Sequence, residues 1–209
     1  MGYYPIALDL TGRRAVVIGG GPVGERKVAG LLAAGARVTV VAPRLTPALS
    51  ALVSQGRIDH VARVYRGGDL DGHQLALVAV DDPTVTRAVV TDARVARIWV
   101  NAADEPELCD FILPSVLRRG DLVVAVTTGG ASPALARTVR ERLEAVLGEE
   151  YGELAAVAAE VRRELRRDTV RPDATTWCEA LADDDLRRFV RAGRRDDARR
   201  RLRHCLGVE

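Results

Sequence analysis

The segment RAVVIGGGPVGERK, residues 14–27, decides the fold. Its first five residues, Arg14 to Ile18, form a short branched apolar run, the pattern of a strand buried on both faces of a parallel sheet. The run ends in glycine, and G-x-G-x-x-G follows at positions 19, 21 and 24. The spacing predicts a helix from Pro22 to Ala34, with Pro22 suited to its first turn and Gly35 to its stop. Strand, glycine turn and helix in this order make a dinucleotide fingerprint. Gly19 permits the tight turn, Gly21 lets backbone approach a pyrophosphate, and Gly24 lets the helix lie close on the strand. The bland alternative is a glycine-rich turn in an α/β protein whose pocket holds something else.

Working outward, Arg37 to Ala42 reads as a second strand ended by Pro43, and a third lies near Ile58 to Val64. Leu75 to Val80 is a fourth. Asp82 and Pro83 then suit the N-cap and first position of a helix running to about Ala96, and Ile98 to Ala102 is a fifth strand. Strands spaced by helices predict an α/β fold with a Rossmann-like parallel sheet. After Asp110 the rhythm changes. FILPSVL and LVVAVTT flank a turn at Arg118 to Asp121, which predicts a two-stranded antiparallel ribbon. Such a ribbon is marginal alone in water, so it is expected to extend the first sheet or pair with a partner subunit. Ser132 and Pro133 open a helix to about Leu147. Residues 151–167 form an amphipathic helix with Leu154, Val157, Ala158, Val161 and Leu165 on one stripe. Pro172 interrupts, and DDDLRRFV and RRDDARRRLRHCL suggest two short helices.

Composition narrows the function classes. The 209 residues are 47% hydrophobic and 29% charged, ordinary globular values. No stretch approaches the roughly 18 apolar residues of a membrane helix, and the N-terminus has no secretory pattern, so a cytoplasmic protein is expected. A net charge of +2 is too small to imply nucleic acid. Cys109, Cys178 and Cys205 are scattered, as are His60, His73 and His204, so neither a disulfide framework nor a protein-built metal site is expected. Of 31 basic residues only Lys27 is lysine. The arginines leave a polyanionic small substrate open.

In open α/β sheets ligands bind beyond the carboxyl ends of the strands. That rule puts the glycine turn, Asp81, Asp82 and the stretch Asn101 to Asp104 along one crevice. Asp82 has a capping job. Asp104, just past a strand end, suits a general base or acid. Asn101 either secures the turn or touches nicotinamide, and Cys109 reads as a small buried apolar residue. The usual ribose-binding acid after the second strand is missing. Arg44 could meet a 2′-phosphate, favouring NADP, or lie along the adenine while backbone near Ala42 and Pro43 holds the ribose. NAD against NADP stays open on these residues. A second glycine site, TTGGASPA at 127–134, offers N–H groups and hydroxyls to a carboxylate or phosphate. The plainer reading is a turn plus an N-cap at Ser132.

Taken together, GGGPVGERK at 19–27, NAADEPELCDFILPS at 101–115 and VAVTTGGASPALARTVRERLE at 124–144 resemble the precorrin-2 dehydrogenase family. This family comprises stand-alone enzymes and the N-terminal module of siroheme synthase, and the likeness runs over about residues 3–150. It implies NAD-dependent oxidation of precorrin-2, a tetrapyrrole, to sirohydrochlorin. Some members also insert ferrous iron, a step left open for this chain. It implies a homodimer built from a Rossmann domain at 1–113, a dimerisation segment at 114–148 and a helical domain at 149–209. Asp104 falls on the family's catalytic aspartate, and Gly19, Gly21 and Gly24 on its phosphate loop. Pro22-Val23 and Pro43-Arg44 fall on its nucleotide contacts, with Asp81 and Asn101 beside them. Thr128 falls where some members carry a phosphorylatable serine near the tetrapyrrole. Gly129, Gly130, Ser132 and Arg137 are the accompanying candidates for substrate carboxylates. The competing reading is a non-catalytic NAD-binding regulatory module of a transport system. Such a module needs neither an acid in the crevice nor the TTGGASP junction.

Overall fold

The computed structural model describes residues 2–103 and 105–208, and the chain divides into two compact units, Met1–Leu113 and Pro114–Glu209.

In the first unit β1 (Arg14–Ile18), β2 (Arg37–Val41), β3 (Asp59–Val61), β4 (Leu75–Val78) and β5 (Trp99–Ala102) form one parallel sheet in the order β3-β2-β1-β4-β5. Alternation along β1 feeds two cores. Ala15 and Val17 pack with Val28 and Leu31 of α1 (Pro22–Ala33) and Leu49 of α2 (Pro47–Ser54). Val16 and Ile18 pack with Val89, Val90 and Ala93 of α3 (Pro83–Ala96). A strand buried on both faces has no polar side to show, which is why β1 reads as an unbroken apolar run. The chain lays down β1, β2 and β3 in one direction and then returns to place β4 against β1. The exit of β1 therefore sits where the strand order reverses, the position at which such sheets open a crevice.

All five strands lie where the sequence pattern puts them, although β3 and β4 stop earlier than expected. The helix α2 is not foreseen by that pattern. It is only eight residues long, and its N-cap Thr46 accepts a hydrogen bond from the Leu49 amide at 3.2 Å, with Pro47 at the first helical position.

In the second unit β6 (Ser115–Arg119) and β7 (Leu122–Val126) form an antiparallel ribbon turning at Gly120, whose φ is +52°. The ribbon is a separate two-stranded sheet, so the expected alternative of extending the first sheet is corrected. One face has cover within the unit, from α4 (Pro133–Val146) and α5 (Glu150–Arg167). Leu117 is 3% exposed, whereas Val116 and Val123, at 37% and 46%, look outward. The helix α5 then packs Val157, Val161 and Leu165 against α6 (Ala174–Leu181), α7 (Asp184–Arg191) and α8 (Arg195–Cys205). The sequence pattern does not foresee α6 either, which is opened by an Asp173 cap on the Thr176 amide. No helix among the described residues is long and apolar enough to cross a membrane.

Candidate active site

The glycine turn joins β1 to α1 at the order reversal. An added Cβ on Gly19, whose φ is +121°, would stand 2.2 Å from the Ala79 carbonyl oxygen at the end of β4. A Cβ on Gly20 would meet the Arg44 oxygen at 2.2 Å, and one on Gly24 the Gly19 oxygen at 2.2 Å. Close packing thus accounts for glycine at 19, 20 and 24. It does not account for Gly21, where a Cβ would meet nothing among the described residues within 4 Å and φ is an ordinary −83°. Gly21 is also the N-cap of α1, and no side chain among the described residues caps that helix end. An uncapped helix N-terminus with open space before its first amides fits an anionic group brought close to backbone, as a dinucleotide pyrophosphate is.

Two side chains of α1 tie this turn to its flanks. On one side Thr46 Oγ1 donates to Glu25 Oε2 at 2.6 Å, while the Thr46 amide donates to the Gly20 oxygen at 3.0 Å. The loop carrying Pro43 and Arg44, both exposed, is fastened to the glycine turn in this way. His60 Nε2 lies 2.8 Å from the Ala42 oxygen at the start of the same loop. On the other side Lys27 Nζ donates to Asn101 Oδ1 at 2.7 Å, reaching the end of β5. Pattern reading misses Glu25, Thr46 and the tie made by Lys27. The Thr46-Pro47 pair carries the same cap signature as Asp82-Pro83 and is the available signal.

Beyond β5 the chain makes a short 3₁₀ turn, Pro106–Leu108, and comes back along the strand. Val100 and Asp110 bond each other, the Asp110 amide to the Val100 oxygen and the Val100 amide to Asp110 Oδ2, both at 2.9 Å. Asn101, 7% exposed, donates from Nδ2 to the Phe111 oxygen at 2.9 Å. Both ends of its amide are therefore engaged within the protein. Cys109 is half-buried and not merely apolar. Its Sγ accepts from the Ala102 amide at 3.2 Å and faces the Ala102 oxygen at 3.1 Å. Burial pushes this thiol above the ordinary cysteine range, keeping it protonated and able to donate. Asp104 lies outside the described residues. Asp81 is exposed just past β4, and Asp82 caps α3 through the Thr84 amide at 2.8 Å.

In the second unit the TTGGASP junction links β7 to α4. Thr128 Oγ1 accepts from the Ser132 amide at 2.8 Å and donates to the Ser132 oxygen at 3.1 Å, closing the turn. Ser132 Oγ caps α4 through the Leu135 amide at 3.2 Å. Gly129 and Gly130 take φ of +64° and +88°, and each would present an added Cβ to open space. Arg137 pairs with Glu141 at 2.9 Å on an exposed helix face. Among the described residues no group of three or more histidine, cysteine or acidic side chains could hold a metal ion.

Comparison with known proteins supplies the lineage. A family model described as "Putative NAD(P)-binding" matches residues 6–115, and one described as "Sirohaem biosynthesis protein central" matches residues 119–145. The chain belongs to the siroheme synthase family. It is 47% identical over 163 residues to the siroheme synthase of Methylobacillus flagellatus, covering 78% of this chain and 35% of that protein. It is 39% identical over 209 residues to the siroheme synthase of Thioalkalivibrio sulfidiphilus, covering 99% and 42%. The chain thus spans well under half the length of these curated relatives. A solved structure described as "SirC, precorrin-2 dehydrogenase" superposes with a TM-score of 0.74 at 26% identity, covering 98% of this chain and 99% of that one. The first unit of this siroheme synthase family member is a nucleotide-binding domain with NAD as its cofactor.

Proposed function

We propose that the chain is an NAD-dependent dehydrogenase that converts precorrin-2 to sirohydrochlorin. The observation that carries this reading is Gly21, an uncapped helix N-terminus opening on free space at the sheet's order reversal. The end-to-end likeness to a precorrin-2 dehydrogenase supports the choice of substrate.

The oxidation removes a hydride and a proton from the reduced macrocycle. Bound NAD supplies the hydride acceptor, C4 of the nicotinamide ring. The turn built by Gly19, Gly21 and Gly24 and the first turn of α1 at Pro22-Val23, where Val23 and not the proline carries an N–H, would hold the pyrophosphate, with Gly21 giving it room. Pro43 and Arg44 flank the adenosine, and Asp81 borders the crevice. Asn101, with its amide already engaged, shapes the exit of β5. Asp104, directly after that exit in sequence, accepts the proton. Precorrin-2 is rich in carboxylates. Thr128, Gly129, Gly130, Ser132 and Arg137 are the groups proposed to meet them through amides, hydroxyl and guanidinium. The outward face of the ribbon, with Val116 and Val123 exposed, supports pairing of residues 114–148 in a homodimer, leaving 149–209 as the helical domain. Ferrous iron, where insertion follows, is a substrate whose ligands are the four pyrrolic nitrogens. Asp104 is then the acceptor of the departing pyrrole protons.

An anaerobic assay of the purified chain with precorrin-2 and either NAD or NADP, following sirohydrochlorin absorbance, tests the reading. A parallel run with ferrous ion added tests insertion. NAD binding without turnover would favour the regulatory-module reading instead.

A further inference from the structure

We propose that Lys27 is a positioning residue for this reaction, holding in shape the return loop that carries Asp104; the proposal rests on the dehydrogenase reading above. The ammonium donates to Asn101 Oδ1 at 2.7 Å, and the same buried amide donates onward to the Phe111 oxygen at 2.9 Å. Asn101 leaves the sheet at the start of the return and Phe111 comes back at its end. One amide therefore pins both limbs, and Lys27 fixes that amide. Cys109, bonded to the Ala102 backbone, fastens the loop between them. A buried amide oxygen deprived of a charged donor loses one of the stronger hydrogen bonds a protein makes.

The anchor also sets distance. Lys27 stands six residues after Gly21 on α1, about 9 Å along the helix axis. The helix that meets the pyrophosphate at its N-terminus thus grips the acid-bearing loop less than two turns later. The glycine turn and the exit of β5 are thereby registered against one rigid element. Lysine suits this anchor. A compact ammonium on a flexible stem reaches the Asn101 oxygen from the helix, whereas a planar guanidinium fork is wider and directs its donors differently. In a chain where every other basic residue is arginine, lysine stands at this one position.

The test uses the full chain with Lys27→Met, Asn101→Ala and the double variant. Turnover and NAD affinity are measured together with hydrogen exchange over residues 99–111. Lys27→Met is expected to lower kcat about 10- to 100-fold, the scale of a misplaced catalytic group. NAD affinity and exchange over residues 14–24 should hold, while residues 99–111 exchange faster. The double variant should lose less than the two single losses combined, because the two side chains share a contact. Lys27→Arg should not restore the rate. Parental kcat in Lys27→Met, additive losses in the double variant, or a matching loss of NAD affinity would each overturn the role. If Lys27→Met does not fold, Lys27→Gln serves in its place. Should the parent lack turnover, or Asp104→Ala turn over normally, the dehydrogenase reading fails separately. The exchange arm still decides Lys27, and unchanged exchange over 99–111 would refute its grip on the loop.

Discussion

The place that a side chain would need at Gly19 is taken by the carbonyl oxygen of Ala79, 2.2 Å from where a Cβ would stand. The exits of β1 and β4 press together at the point where the strand order reverses. Gly19→Ala adds a backbone clash to a left-handed φ of +121°. Overpacking together with that conformation is expected to cost about 2–4 kcal/mol, read as a lowered midpoint in urea unfolding.

Gly21, two residues on, behaves in the opposite way. Nothing among the described residues needs its space, so Gly21→Asp is expected to leave the unfolding midpoint near that of the parent. It should abolish NAD binding by bulk and by charge against pyrophosphate, as calorimetric titration would show. Retained affinity would mean that the phosphates lie elsewhere.

The contrast explains how far the sequence can be read. β1, the glycine turn and α1 are legible because burial on both faces and the pyrophosphate turn each demand a particular residue pattern. α2 and α6 are not, although the equally short α7 is. DDLRRFVR sets apolar Leu186 and Val190 against charged neighbours, whereas PALSALVS and ATTWCEAL have little charge to outline a stripe, leaving the Thr46-Pro47 and Asp173 caps as the local signals. The ribbon is legible as a hairpin but not in its placement, since cover from α4 and α5 depends on tertiary packing. At the site, the crevice follows from topology. The ties Thr46–Glu25 and Lys27–Asn101 link residues 21 and 74 positions apart, which no local pattern encodes.

The helical unit should show a defined acid response. Asp183 caps α7 through the Leu186 amide at 2.8 Å and takes a two-pronged bond from Arg201 of α8. The Arg201 guanidinium holds this carboxyl down at about 2, well below its ordinary value. A depressed folded-state pKa contributes stability above the unfolded pKa of about 3.9 and loses it as the pH falls through the folded value. Asp183→Asn keeps a capping oxygen but no charge. It should be less stable than the parent at pH 7, with the gap closing between about pH 4 and pH 2, as urea unfolding across that range would reveal.

Gly152 of α5 is pressed against the ribbon turn, where an added Cβ would lie 2.8 Å from the Arg119 carbonyl carbon. Gly152→Ala is expected to destabilise the second unit by about 1–3 kcal/mol, since backbone on both sides must give. NAD affinity of the first unit should not change, which separates this effect from damage to the nucleotide turn.

The most direct measurement is anaerobic turnover of precorrin-2 with NAD by the parent and by Asp104→Ala, alongside NAD affinity for both. The expected result is sirohydrochlorin formation by the parent and a loss of about 10²–10⁴-fold in the variant, with affinity nearly intact. A parent that binds NAD but forms no sirohydrochlorin, or a variant that turns over at the parental rate, would contradict it.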